Sequence, residues 1–155
     1  VLSWLESTSL AIWLAESPSI WSLPTVLTLH TAGMAVLVGA SWLLDLRLLG
    51  IGRNIPLSAY RWVFPTLAIG LSVNLVTGLM LFVKNATTLG TAVPFLVKML
   101  LVVASVVTVL PLRSLVIRGS VGEGEASRAR LLAIASILAW TGAVTAGRLL
   151  AYLVV

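Results

Sequence analysis

Cysteine is absent from the chain's 155 residues, which removes disulfides, thiolate metal sites, iron–sulfur clusters and cysteine nucleophiles together. Charge is scarce too. Asp, Glu, Lys and Arg make up 10% of the chain, where soluble domains carry about a quarter. Histidine occurs once, at His30. A single histidine with no carboxylate near it leaves no Ser-His-Asp arrangement, zinc-hydrolase site or paired-carboxylate hydrolase. There is no P-loop and no GxGxxG. No apolar segment carries the run of acids expected of a proton pump. A stand-alone enzyme is not expected.

What fills the chain is apolar. It is 59% hydrophobic with a mean hydropathy of +1.10. Four segments of about 20 residues, the length that crosses a bilayer core, fall near 25–49, 62–83, 93–112 and 131–153. Pro18 and Pro24 precede the first. Pro65 and Pro94 stand in the first turns of the second and third, where a missing N–H costs little. The connecting loops are short, so neighbouring helices must be antiparallel. Residues 1–17 are too short and polar to span. Leu2, Leu5, Ser9, Ile12 and Trp13 fall on one helical face there, with Trp4 and Trp21 nearby, the pattern of a helix lying in the membrane interface. The expected fold is therefore an all-α membrane protein: a four-transmembrane, up-down-up-down helix bundle with a short N-terminal interfacial helix. Val1 opens the sequence without a basic n-region, so no classical signal peptide is expected.

The net charge of +5 resides mainly in loops, which points to topology rather than to nucleic acid. Seven arginines (Arg47, Arg53, Arg61, Arg113, Arg118, Arg128 and Arg130) lie on the side of the first and third loops, with Glu123 and Glu125 among them. Lys84, Lys98 and Arg148 lie toward the other side. The positive-inside rule puts the seven in the cytoplasm, with both termini outside.

Each span carries small or polar residues at helical spacing. The stripes are His30, Gly33, Leu37 and Ser41; Thr66, Gly70, Asn74 and Thr77–Gly78; Lys98, Ser105 and Thr108; and Thr141, Thr145, Arg148 and Tyr152. Ala35-x-x-x-Gly39 and Ala143-x-x-x-Gly147 add the spacing that permits close helix approach. Most of these read as packing seams, with hydroxyls bonded to their own preceding turn. The ionisable groups carry more information. At about 1.5 Å per residue, His30, Lys98 and Arg148 each lie about 8 Å from the outer end of a span, with Asn74 and Thr77 level or slightly deeper. Such a cationic layer needs an acceptor, and no carboxylate in a span lies at that depth. Glu6 or Glu16 could fold over it. Otherwise the layer would hold a group that the chain does not supply, a lipid phosphate, a haem propionate or a quinone oxygen, assisted by Tyr152. If it does not, Lys98 and Arg148 snorkel outward and His30 is a neutral core residue.

Met34 stands one turn from His30, and Met80 and Met99 fall in the same half of the membrane. Imidazole with thioethers suits copper(I), and His with Met is an axial pair for haem, so haem b or copper at His30 is the alternative cofactor reading. At the other end, Asp45 and Arg47 are two residues apart and cannot face each other. Asp45 is expected to pair across helices with Arg61, Arg113 or Arg128, as a structural bridge.

Several stretches carry a resemblance: LHTAG around His30, DLRLLG at 45–50, TGLMLF at 77–82, FLVKMLL at 95–101 and AWTGAVTAGRLLAYL at 139–153. Together they resemble a family of small uncharacterised bacterial four-helix membrane proteins, over nearly the whole chain. The third span is more loosely similar to the membrane domain of copper-resistance D proteins. Members of the family often carry a second histidine near the end of the third span, which would imply a b-type haem. Here that region reads TVLPLRS, so two histidines from one chain cannot hold a haem. His–Met ligation, or a haem shared between two copies, is what the resemblance leaves.

Two functional expectations follow. The first is a non-catalytic membrane subunit that packs with larger partners or with itself, and holds a lipid or quinone headgroup. The second is a redox or metal-handling protein using His30 with a methionine.

Overall fold

The computed structural model describes residues 2–122 and 124–153; Glu123 lies outside them. The described residues are helical and contain no strand. Two short helices come first, α1 (Leu2–Glu6) and α2 (Ser9–Glu16). Thr8 separates them: its hydroxyl donates to the Leu5 carbonyl at 2.7 Å and accepts from the Ala11 N–H, capping α2. The buried positions of α2 are Ala11 and Leu14, while Ile12 and Trp13 are exposed. The expected single helix is thus two short ones. The break at Ser7–Thr8 resets the phase, and the smaller Ala11 permits close seating on the bundle.

The four long elements follow. The first, α3 (Leu23–Leu49), has Pro24 in its first turn and stops at Gly50, whose φ of 107° only glycine accepts readily. A 3-10 turn over Leu57–Trp62 leads into α4 (Val63–Lys84), followed by a single turn, α5 (Ala86–Leu89). The third span is α6 (Val93–Val109). It ends three residues short of the expected 112, because Pro111 supplies no N–H to continue the ladder. A separate short helix, α7 (Leu112–Arg118), closes at Gly119 (φ 74°). The last, α8 (Ala126–Leu153), starts before the expected residue 131. All four crossings are long and apolar enough to span a membrane.

In the bundle α3 packs against both α4 and α8, and α8 packs against α6. α3 and α4 approach closely at Gly33 and Gly70: a Cβ on Gly70 would stand 3.1 Å from the Leu37 backbone nitrogen and 3.2 Å from the Gly33 carbonyl. α8 turns an alanine face inward, with Ala129, Ala133, Ala143 and Ala146 buried around Ser136 and Trp140. Between α4 and α6, Phe82 and Phe95 stack with ring centroids 5.3 Å apart. Below that stack an apolar cleft of about 420 Å³ opens between them, with Leu37 and Trp140 among its lining residues. The outer surface is a continuous aliphatic belt; Ile69, Leu79, Leu100 and Leu138 are all more than half exposed. In water such a belt would be untenable, and in hydrocarbon it is the matching solvent.

The two N-terminal helices dock on this frame. α1 lies against α5, and α2 lies against α4. Glu6 Oε1 accepts from both the Thr87 N–H (2.8 Å) and the Thr87 hydroxyl (2.6 Å).

Candidate functional site

His30 lies on α3 facing α4. Its ring has room because residue 78 is glycine: a Cβ there would approach His30 Cε1 to 3.2 Å. Nδ1 stands 2.9 Å from the Thr77 hydroxyl oxygen. That hydroxyl spends its one proton on the Val73 carbonyl at 2.6 Å, so it accepts from the ring, and Nδ1 carries the hydrogen. Asn74 Nδ2 donates to the His30 backbone carbonyl at 2.9 Å, which fixes the turn that bears the ring. The lone pair on Nε2 then points away from α4.

Lys98 meets it from α6. Its Nζ, which can only donate, lies 3.5 Å from Nε2. The lysine stem runs over α8 at Gly147, where a Cβ would sit 3.6 Å from Cδ, Cε and Nζ alike. Three helices therefore position one pair: α4 polarises the imidazole, α6 supplies the ammonium, and α8 provides the bed on which it lies. Among the described residues no carboxylate bonds Lys98, and the ion pair is Arg118–Glu125, in the loop before α8. Among the described residues the ammonium's side-chain contact is the long one to the ring, which leaves donor capacity to spare.

Of the expected layer, His30, Lys98, Asn74 and Thr77 come together. Arg148 and Tyr152 do not. Both are exposed on the outer face of α8, together with Thr141 and Thr145. The threonines bond back to the carbonyls of Ile137 and Thr141, at 2.7 and 2.8 Å, and so can face lipid. The alanine face packs instead because it lets the backbones approach. Likewise Ala35 and Gly39 face outward, and nothing lies within 4 Å of a Cβ placed on Gly39. Glu6 is engaged by Thr87 and does not cover the layer.

The group nearest the free His30 nitrogen is the Lys98 ammonium rather than a methionine, and Met80 is half-buried on α4. Met99 is exposed on α6 and Met34 packs into the core. The imidazole lone pair that would ligate a metal is faced by an ammonium group, which repels a cation. No cluster of three or more His, Cys, Asp or Glu exists among the described residues.

The expected bridges from Asp45 are also corrected. Asp45 is fully buried, and its Oδ2 accepts from Ser136 Oγ at 2.7 Å and from Ser41 Oγ at 3.4 Å. Trp140 Nε1 donates to Ser41 at 3.1 Å, and Oδ1 has no partner. The arginines serve the loops. Arg47 donates to the carbonyls of Ile55 and Arg53, Arg61 donates to that of Ile117, and Arg113 lines the α4–α6 cleft. An arginine long enough to reach Asp45 would have to enter a space already filled by the small residues of α3 and α8. Sequence reasoning placed Gly78 and Gly147 only as packing positions and did not single out the Ser136–Trp140 partners. Their signal was the small residue beside each predicted polar one.

The chain belongs to a family of unknown function, DUF6644, whose model matches residues 4–153. No curated protein matches it, and no solved structure does.

Proposed function

We propose that this DUF6644 member is a non-catalytic, multi-pass subunit of the bacterial inner membrane. Its His30–Lys98 pair holds the acceptor oxygen of a quinone or phospholipid head, and its aliphatic belt packs beside membrane partners or another copy. The arginine loops face the cytoplasm and both termini lie outside, which sets the pair in the outer half of the bilayer. The observation that carries the reading is the ammonium of Lys98, seated on Gly147 within a span, with no carboxylate of the described residues bonded to it. A charge in hydrocarbon requires an acceptor. A quinone carbonyl and a phosphate oxygen both provide one, attached to an apolar tail that suits the surroundings.

The test is to purify the protein gently and assay the extract for quinone by chromatography and for phospholipid by mass spectrometry, in wild type and Lys98→Met. The reading expects one of the two in stoichiometric amount, lost in the variant while the helical circular dichroism is kept. Neither molecule bound, or equal retention by Lys98→Met, would overturn the headgroup role. A strictly monomeric protein without co-purifying subunits would overturn the accessory role.

A further inference from the structure

At the opposite end of the molecule, the loop after α3 and the loop before α8 enclose a second pocket of about 360 Å³. That is within the range of small-ligand sites. Three arginines line it, Arg47, Arg53 and Arg130, and no acidic residue of the described ones does. Arg47 is held rigidly, its Nε bonded to the Ile55 carbonyl at 2.8 Å and an Nη to the Arg53 carbonyl at 3.2 Å. The nearest described acid of the loop, Glu125, is taken up by Arg118 at 2.8 and 3.0 Å and by the Gly122 N–H. Glu125's carboxyl is held below its ordinary range first by the Arg118 hydrogen bond, so it stays ionised and committed to that partner.

We propose that this pocket is a binding site for a phosphate group, taken either from an anionic phospholipid of the adjoining leaflet or from a soluble phosphate ester. Three like charges gathered around one cavity repel one another, and an anion in the middle reverses the sign of that interaction. Guanidinium groups pair with phosphate oxygens bidentately, which a set of topological lysines would not do. Positive-inside topology requires arginines in these loops, but it does not require three of them around one cavity. Leu48, Leu57 and Ala126 add an apolar wall suited to a glycerol backbone. Basic pockets of this kind between spans are how membrane proteins hold anionic heads. The site is independent of the His30–Lys98 pair, which lies near the other end of the spans.

The experiment titrates short-chain phosphatidylglycerol, phosphatidylcholine and glycerol phosphate into the full detergent-solubilised chain, read by native mass spectrometry. Arg53→Gln and Arg130→Gln alter exposed side chains, Ala126→Trp fills the pocket without changing charge, and Arg128→Gln removes a charge that does not line it. Phosphatidylglycerol binding one per chain, about tenfold weaker in each pocket variant and unchanged in Arg128→Gln, supports the lipid source. Glycerol phosphate binding as tightly, with the same variant pattern, supports the soluble source. Equal weakening by Arg128→Gln, undiminished binding by Ala126→Trp, or no preference for any phosphate monoester or anionic lipid over phosphatidylcholine would overturn the site.

Discussion

Ser136 on α8 donates a 2.7 Å hydrogen bond to Asp45 on α3, and the two residues are fully buried ninety-one positions apart in the chain. Donors run in one direction through the cluster, from the Trp140 indole to Ser41 and from the serines to Asp45 Oδ2. Removing a donor strands a buried acceptor where water cannot replace it. Ser136→Ala should therefore lower stability in detergent by about 1–3 kcal/mol, read as a fall in the thermal midpoint. Trp140→Phe should cost about 1 kcal/mol for the lost hydrogen bond. The double variant should depart from additivity, because both act on one network. Independent, small and additive effects would mean that the cluster does not clamp α3 to α8.

The approach of α3 to α4 makes an opposite pair of predictions for two glycines. Gly70→Ala puts a methyl within 3.2 Å of backbone atoms on α3, which cannot swing aside as a side chain can. Overpacking of this kind costs about 1–3 kcal/mol, and the Asn74–His30 and Thr77–His30 bonds one and two turns along should loosen with it. Gly39→Ala meets nothing within 4 Å. There the helix gains about 1 kcal/mol from the better residue. Thermal midpoints of the two variants should move in opposite directions; a shared direction would show that the helices are not in contact at Gly70.

Much of this arrangement was legible in the sequence, and the parts that were not have physical reasons. Four apolar stretches between arginine loops announce four crossings, since hydrocarbon thickness fixes their length. Three of the four polar stripes identified the inward faces, with His30, Thr77 and Lys98 among them. The stripe on α8 failed because threonines bonded to their own helix look like buried seams in sequence yet are content facing lipid. Asp45 misled for a related cause. A carboxylate beside so many arginines suggests ion pairing, whereas Ser136 from the distant α8 and Ser41 from its own helix reach it first. Which small residue serves a seam and which serves as a bed for a side chain, as Gly147 does for Lys98, depends on helix rotation, and the sequence carries that only through the packing itself.

The contact of Glu6 with Thr87 gives a pH prediction for the N-terminal helices. The Thr87 hydroxyl, and then its N–H, donate to Glu6 and hold its carboxyl below the ordinary 4.5. A carboxyl depressed in the folded state contributes attachment above its unfolded pKa and loses it as pH falls through the lower folded value. Docking of α1 should thus be unaffected from neutral pH down to about 5 and weaken only below about 4.5. Glu6→Gln should show the weakened docking at all pH values. Limited proteolysis at residues 2–16 measures both. Acid-independent protection, or a loss already near pH 6, would remove Glu6 as the latch.

The orientation can be read directly because the chain has no cysteine of its own. Ser7 and Ser120 are exposed and lie in loops at opposite ends of the bundle, Ser7 beside the first short helix and Ser120 next to the arginine-rich pocket. Lysine and arginine are retained on the cytoplasmic side during insertion, and seven arginines at one end outweigh the three basic residues toward the other. A membrane-impermeant maleimide should therefore label Ser7→Cys in intact cells, and Ser120→Cys only after the membrane is permeabilised. The reverse pattern would place the His30–Lys98 pair in the cytoplasmic half and the three-arginine pocket outside. In that case the phosphate would have to come from the outer leaflet, and the acceptor for Lys98 from the inner one.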